Sequence, residues 1–400
     1  MKTQKLRLFR PTSFALAFAV FTVLLTATPA SAQCTEVISG LREPLGTALS
    51  NQGNLLVSET GTTAPNSGRI SIVDSDGNRR TLLDGLPSAI NDVGEPSGPA
   101  GLFMRGRTLY VAIGVGDVGR AGPLPGTTIP NPAGPSSPLF SSVLAIQFSA
   151  NAEKITTGFT LTPDDRQARA DGQTVTLSNG GVDRITIRLI ANFPNFISFP
   201  LPFFSPNIKL SNPFQLVAVE DELYVTDGGR NLVWHIDLLD GSFTILASFP
   251  PIPNPVSPIG GPVLDAVPTG IAAVGDQLLV TLFRGFPFPP GVSTVEQIDP
   301  LTGNDTALIS GLRTAIDVLP ASADENPSLL VLQHTSGTAF LPPPNFSGPG
   351  LVLRFETPAG PPTVVANCLT RPTTMTLDKK AGTLYVSEYG GRVVAIPFTP

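Results

Sequence analysis

The chain has 400 residues, among them 42 Pro and 39 Gly; 41% are hydrophobic, 14% are charged and the net charge is −6. So few charges beside so many apolar residues exclude an intrinsically disordered chain, and recurrent Pro with scarce Glu, Lys and Arg excludes a coiled coil. With 2 His and 2 Cys there is no material for a three-His zinc site or a Cys-rich metal cluster.

In chain order, residues 1–32 come first and read as a cleaved secretory signal. Lys2, Lys5, Arg7 and Arg10 form a basic start, Phe14 to Leu25 is a 12-residue apolar run, and Ala30-Ser31-Ala32 is a small-residue cleavage site. The run falls short of the ~20 helical residues that span a bilayer, and no other segment reaches that length without Pro, Gly or charge, so no membrane span is expected. The expectation is an exported protein, periplasmic or extracellular. Loss of those four cations takes the net charge from −6 to −10. That acidity argues against nucleic acid and anionic lipid as partners.

From residue 33 onward the chain repeats itself. A Pro-led apolar segment, a short turn and a Leu-Tyr-Val-like strand recur: Pro44-Leu-Gly-Thr-Ala-Leu with Leu55-Leu-Val-Ser-Glu59, Pro99-Ala-Gly-Leu-Phe with Leu109-Tyr-Val-Ala, and Pro213-Phe-Gln-Leu-Val with Leu223-Tyr-Val-Thr-Asp227. Pro268-Thr-Gly-Ile-Ala with Leu278-Leu-Val-Thr follows, then the degenerate Ala315-Ile-Asp-Val with Leu329-Leu-Val-Leu, then Pro372-Thr-Thr-Met-Thr with Leu384-Tyr-Val-Ser-Glu388. Each copy continues into a Gly-rich bend and a third strand, such as Arg69-Ile-Ser-Ile-Val or Leu232-Val-Trp-His-Ile. A polar turn and a fourth strand follow in most, with hairpin signals at Asp76-Gly77, Asp240-Gly241 and Thr302-Gly303. Alternation at period two makes the chain all-β. Four short strands per repeat, arranged radially, predict a six-bladed β-propeller over 33–400.

The repeat starts are 55, 114, 55, 47 and 57 residues apart, so the second repeat carries insertions, placed at about 115–140 and 155–212. The latter reads as extra strands at Thr174-Val-Thr-Leu and Arg184-Ile-Thr-Ile-Arg-Leu and a Phe/Pro-rich loop from Phe193 to Pro206. The sixth repeat ends after three strands. Thr35-Glu-Val-Ile-Ser-Gly-Leu41 resembles Thr363-Val-Val-Ala-Asn-Cys-Leu369, the last strand of the fifth repeat. The N-terminal strand is therefore predicted to complete the last blade.

Ser211-Asn-Pro-Phe-Gln-Leu, Val225-Thr-Asp-Gly-Gly-Arg-Asn-Leu232, Asp265-Ala-Val-Pro-Thr-Gly-Ile271 and Gly285-Phe-Pro-Phe-Pro-Pro-Gly291 resemble the ScyD/ScyE family. These are exported six-bladed propellers, related to NHL and TolB-like propellers and named for the scytonemin pathway of cyanobacteria. The double Phe-Pro loop is the most specific of these segments, and the resemblance covers most of 35–400. It implies an exported propeller without an assigned activity. Where the family reads Gly-Pro-His-Asp in the second blade, this chain has Gly98-Pro99-Ala100-Gly101, so no His-Asp pair carries over.

In a propeller, the loops leading into each inner strand and leaving each second strand share one face. Glu43, Asn212, Asp265, Thr314 and Arg371 precede inner strands; Glu59, Asp117, Asp227, Arg230, Arg284, His334 and Glu388 end second strands or follow them. Carboxylates, an amide, guanidinium groups and an imidazole around one mouth make a polar ligand site. Loop ends are also polar simply because they meet water. Glu43, Asn212 and Asp265 supply hard oxygen donors from separate blades, a set suited to calcium, as in metal-dependent propeller hydrolases of the lactonase or strictosidine-synthase kind. Beyond that calcium no cofactor is expected.

Other signals are set aside. Gly114-Val-Gly-Asp-Val-Gly119 leads into a Pro/Gly loop rather than a helix, so it lacks the helix N-terminus of a dinucleotide site. Asp74-Ser-Asp76-Gly77 lacks the later ligands of a calcium loop and reads as a hairpin turn. No G-x-S-x-G nucleophile elbow occurs. His235 sits within a strand as a packed His, whereas His334 ends a second strand and is the better functional candidate. Cys34 begins a fourth strand and Cys368 ends one. A strand length of ~20 Å against the ~7 Å Cα limit predicts no bridge. Two readings stay open: a monomeric binding or scaffold module for a small molecule or protein, and a calcium-dependent hydrolase. The Phe-rich 193–206 segment adds a third, an exposed protein-contact patch.

Overall fold

Alternate residues of a strand point to opposite faces, and here both faces are apolar. In Thr108–Ile113, Leu109, Val111 and Ile113 join one apolar cluster while Tyr110 and Ala112 join another. Leu329–Gln333 divides the same way, Leu330 and Leu332 against Leu329 and Val331. Such sheets must be covered on both sides, and a ring of sheets does this without further layers. The structure is a computed structural model that describes residues 33–91, 95–117, 119–121, 128–154, 157–194, 210–324, 326–337 and 346–399. The segment read as a signal, 1–32, lies outside the described residues. Among the described residues no helix is long and apolar enough to cross a membrane.

Six antiparallel sheets form the blades, each counted from the axis outward. Blade one is Pro44–Leu49, Leu55–Glu59, Gly68–Val73 and Arg79–Leu86. Blade two is Pro99–Arg105, Thr108–Ile113, Ser142–Phe148 and Arg184–Asn192. Blade three is Pro213–Val219, Glu222–Asp227, Leu232–Asp237 and Phe243–Ser248. Blade four is Pro268–Val274, Gln277–Leu282, Ser293–Ile298 and Asp305–Leu312. Blade five is Ala315–Pro320, Leu329–Gln333, Gly350–Phe355 and Thr363–Leu369. Blade six is Pro372–Asp378, Thr383–Glu388 and Arg392–Pro397, with Thr35–Ile38 as its outer strand. That outer strand pairs Thr35 with Ala395 and Glu36 with Val394, and the inner strands of blades six and one pack together. The six-bladed propeller closed by its N-terminal strand is thus the fold. Separate apolar clusters fill the blade-to-blade interfaces; Leu41, Val57 and Val393, for example, lie between blades one and six.

The long second repeat decorates blades one and two. Phe159–Thr160 pairs in parallel with the outer strand of blade one, helix Pro163–Ala170 follows, and Val175–Ser178 adds a fifth strand outside Arg184–Asn192. Of the two strands read as extra, Arg184–Asn192 is therefore the ordinary outer strand of blade two, because the insertion falls between the third and fourth strands. The Phe-rich segment also differs from expectation at its start. Phe193 is buried, stacked on Trp234 at 4.8 Å between blades two and three, where it fills core rather than offering a contact patch. Residues 195–209 of that loop lie outside the described residues.

Every inner strand carries an irregularity in its register with the second strand. At this level neighbouring inner strands touch backbone to backbone. A Cβ on Gly270 of blade four would lie 2.5 Å from Asp317 Cα of blade five. Hydroxyls fill the bulges. Ser58 Oγ accepts from Gly46 N at 2.8 Å and donates to Ala100 O in the next blade. Thr226 Oγ1 accepts from Gln215 N at 3.0 Å and donates to Thr269 O at 2.5 Å. Ser387 Oγ accepts from Thr374 N and donates to Leu45 O, both at 3.3 Å, across the closure of the ring.

The expectation of unpaired cysteines is overturned. Cys34 and Cys368 form a disulfide with a Cα separation of 6.0 Å. Neighbouring outer strands are not parallel rods. Twist of roughly 20–25° per pairing accumulates to about 60–75° across a blade. Outer strands then run aslant around the rim, and the end of one meets the start of the next. The bridge ties blade five to the strand that closes blade six.

Thiol titration of the folded, non-reduced protein should find no free thiol, and Cys34→Ser should lower the melting temperature. Chain entropy for a 334-residue separation sets a ceiling of about 6 kcal/mol. Gly270→Ala should cost roughly 1–3 kcal/mol in urea denaturation. Gly390→Ala, where nothing lies within 4 Å of an added Cβ, should be close to neutral.

Candidate functional site at the upper mouth

The upper mouth is built by the residues ahead of the inner strands and at the ends of the second strands. Glu43, Val267, Thr314 and Arg371 each stand immediately before an inner strand with φ of 50°, 50°, 43° and 48°. That is left-handed backbone, which side-chain-bearing residues adopt at a cost of about 1–3 kcal/mol and which clusters at functional sites.

The carboxylates that end second strands face into their own blades. Glu59 is fully buried; Oε2 accepts from Arg42 N at 2.6 Å and from Arg69 at 2.7 Å. Asp227 is fully buried, with Oδ1 accepting from Asn212 N, Gly229 N and Arg230 N and Oδ2 from Trp234 Nε1 at 3.0 Å. Burial pushes its carboxyl above the usual range, and those donors oppose the shift. Glu388 accepts from Thr370 N at 2.7 Å and pairs with Arg392. Three predicted ligand groups thereby fasten the chain leading into the inner strand of their own blade, as a capping side chain fastens a helix end.

Two more predicted residues join one blade to the next. Asn212 Oδ1 of blade three accepts from Val115 N of blade two at 3.1 Å. His334 Nδ1 of blade five donates to Pro372 O of blade six at 2.8 Å. Burial holds the His334 imidazole down at about 4, with that carbonyl opposing and Arg371 adding to the depression. Arg284 is buried and its Nε donates to Val292 O; Thr314 is buried and donates to Thr335 O. Asp117 Oδ1 accepts from Ser136 N. His235, expected to be packed, pairs with Glu222 and stacks on Tyr224.

Across blades three and four, the Arg230 guanidinium lies 4.9 Å over the Trp234 ring, and Asp265 receives Asn231 Nδ2 at 3.4 Å. Asn212 and Asp265, two of the three residues proposed for calcium, are thus engaged with different neighbours, Val115 and Asn231. No group of three His, Cys, Asp or Glu suited to a metal occurs among the described residues.

What the fold does assemble is a group shared by blades four, five, six and one. Tyr389 lies beside the Glu43 carboxyl, whose Oε2 is buried and has no hydrogen-bond partner among the described residues. Burial pushes the Glu43 carboxyl up; Glu95 adds to this, while Tyr389 and Arg371 oppose it. The Tyr389 phenol is driven upward by burial and by Glu43. Arg371 lies 4.6 Å over the Tyr389 ring and 5.7 Å over Phe346, and its ion pair with Glu95 spans 3.8 Å. Phe346 packs on His334 at 4.6 Å and on Phe288 at 5.2 Å, and Phe283 packs on all three. Phe283, Phe288, Phe346 and Tyr389 are only half-buried. Of this group, sequence reasoning found Glu43, Arg371 and His334. It missed Tyr389 and Glu95, although Tyr389 directly follows the Glu388 strand end. Phe288 belongs to the Phe-Pro loop noted for its resemblance.

No protein-family model and no curated protein matches the chain. Among solved structures it is similar to a gluconolactonase from Xanthomonas campestris (13% identity, 95% of this chain and 94% of that one, TM-score 0.48). It is also similar to a virginiamycin B lyase from Staphylococcus aureus, solved as an inactive variant with quinupristin (14% identity, 92% and 99%, TM-score 0.44). A glucose dehydrogenase is a third (13% identity, 92% and 100%, TM-score 0.48). Likenesses at this level carry no argument about activity, and the fold described above rests on the strand pairing of the chain itself.

A folded-state pKa of about 4 for His334 lies below its ordinary 6.5. The unfolded chain therefore binds the extra proton between those values, and the stability His334 contributes is complete above 6.5 and lost as pH falls toward 4. The difference between wild-type and His334→Gln unfolding free energies should shrink across that window, by a ceiling on the order of 3 kcal/mol. Urea denaturation at a series of pH values measures it, and a pH-independent difference would refute the assignment.

Proposed function

We propose that the chain is an exported ScyD/ScyE-like propeller, monomeric and periplasmic or extracellular, that acts as a binding or scaffold module through the Glu43, Tyr389 and Arg371 group of its upper mouth. The observation that carries this reading is the buried Glu43 oxygen without a partner, held on left-handed backbone beside a half-buried aromatic wall. A buried acceptor left unpaired costs about 1–3 kcal/mol, which a ligand hydroxyl recovers. The rings of Phe346, Phe288 and Phe283 supply the apolar contact that orients a flat molecule, and Arg371 fixes its polar edge. The ligand class that suits both features is an aromatic molecule bearing a hydroxyl. Glu59 and Glu388 fasten the chain just ahead of Glu43 and Arg371 rather than touching the ligand.

Titration of the purified protein with 2-naphthol should give saturable binding, weakened at least tenfold by Phe346→Ala and by Glu43→Gln. Binding unchanged in both variants would sink the proposal. Metal analysis addresses the hydrolase reading. Stoichiometric calcium, with lactone hydrolysis lost in Asn212→Ala, would replace the binding module by an enzyme.

A further inference from the structure

The opposite end of the axis holds a cavity of about 450 Å³. Its walls come from the later residues of the inner strands and are mostly apolar: Met104, Leu216, Ile271, Leu319 and Leu377 from five blades, with Leu49 from the sixth. That volume and lining are typical of a small-molecule pocket, which runs from about 300 to 1,000 Å³. A pocket of this kind gains direction from a few polar groups, and here they lie at its inner end. Gln215 and Asp317 both line it and are 7% and 1% exposed.

Asp317 is the one acidic residue of the lining, and Lys379, at the exposed rim, is the one base. Asp317 Oδ1 accepts from Val318 N at 2.9 Å and Oδ2 from Met375 N at 2.7 Å. Each oxygen keeps a second acceptor position. No ion pair reaches Asp317 among the described residues. A carboxylate in that setting is complemented by a cation, and apolar walls demand that the cation ride on an apolar body. From this charge complementarity we propose that the lower end of the channel is a second ligand site, one that takes a small primary amine with an apolar body. Burial pushes the empty Asp317 carboxyl up to about 7, so a bound ammonium relieves the penalty on its charged form. The site is independent of the upper mouth.

Calorimetric titration of the purified protein at pH 8 with hexylamine, hexanol and hexanoate tests this. Hexylamine should bind saturably at one per chain, hexanol at least tenfold more weakly, and hexanoate not at all. Asp317→Asn should weaken hexylamine at least tenfold. Ala218→Trp leaves Asp317 in place and obstructs the lower end, so it should abolish binding even if the Asn variant does not fold. Phe346→Ala at the upper mouth should leave hexylamine binding intact. No saturable binding, meaning a channel that holds water only, overturns the proposal. So does equal affinity for hexanol and hexylamine, or hexylamine binding that survives Ala218→Trp.

Discussion

The contact on which the ring depends is a hydroxyl one residue before the end of the second strand. The bulged inner strand leaves an N–H without a ladder partner, and next to it the neighbouring blade presents a carbonyl. Both are buried, and both must be paired. Ser58, Thr226 and Ser387 meet both demands at once, because a hydroxyl accepts and donates through one small atom. Thr281 serves its own bulge the same way, accepting from Gly270 N at 2.8 Å, and meets Thr269 Oγ1 at 2.9 Å.

Blades two and five carry Ala112 and Leu332 at that position, and there the joint moves. Between blades two and three it passes to Ser141, which donates to Ser211 O at 2.6 Å, and to Asn212. Between blades five and six it passes to His334 and Asp317, which engage Pro372 O and Met375 N. Asn212 and His334 therefore have a structural reason to be polar and buried. Glu43 has none of this kind, since one of its oxygens is buried and unpaired. That contrast, rather than polarity alone, sets Glu43 apart from Asn212 and His334 in this mouth.

The architecture was legible because it is written in a repeated local signal. Each Pro before an inner strand, each Leu-Tyr-Val run and the likeness of Thr35–Leu41 to Thr363–Leu369 survive as sequence, and the closing strand follows from them. The helix at Pro163–Ala170 was legible too, through the Thr162 and Asp165 capping box with Pro163 between them. It escaped because eight residues are too few to show a period. The disulfide was not legible by strand counting, because its geometry comes from twist accumulated over whole blades. The direction of Glu59, Asp227 and Glu388 was not legible either. A strand-end carboxylate looks the same in sequence whether it meets solvent or a backbone N–H just ahead of the proline that opens its own blade.

The two ends of the axis differ because of a constraint at the third position of the inner strands. That position reads Gly46, Gly101, Gln215, Gly270, Asp317 and Thr374 around the ring. Gly101 stands against Gln215, and Gly270 stands against Asp317, each so close that an added Cβ meets the neighbour's atoms. The larger polar side chain is accommodated only because the preceding blade has given up its own. Polar chemistry at the inner end of the lower cavity is therefore coupled in pairs. A side chain on Gly270 crowds Asp317, and Gly270 leaves a void if Asp317 is cut back to Ala. Below this level the strands diverge enough for Leu49, Leu216 and Leu319 to line the axis. The cavity thus begins where the glycine-for-side-chain exchange ends.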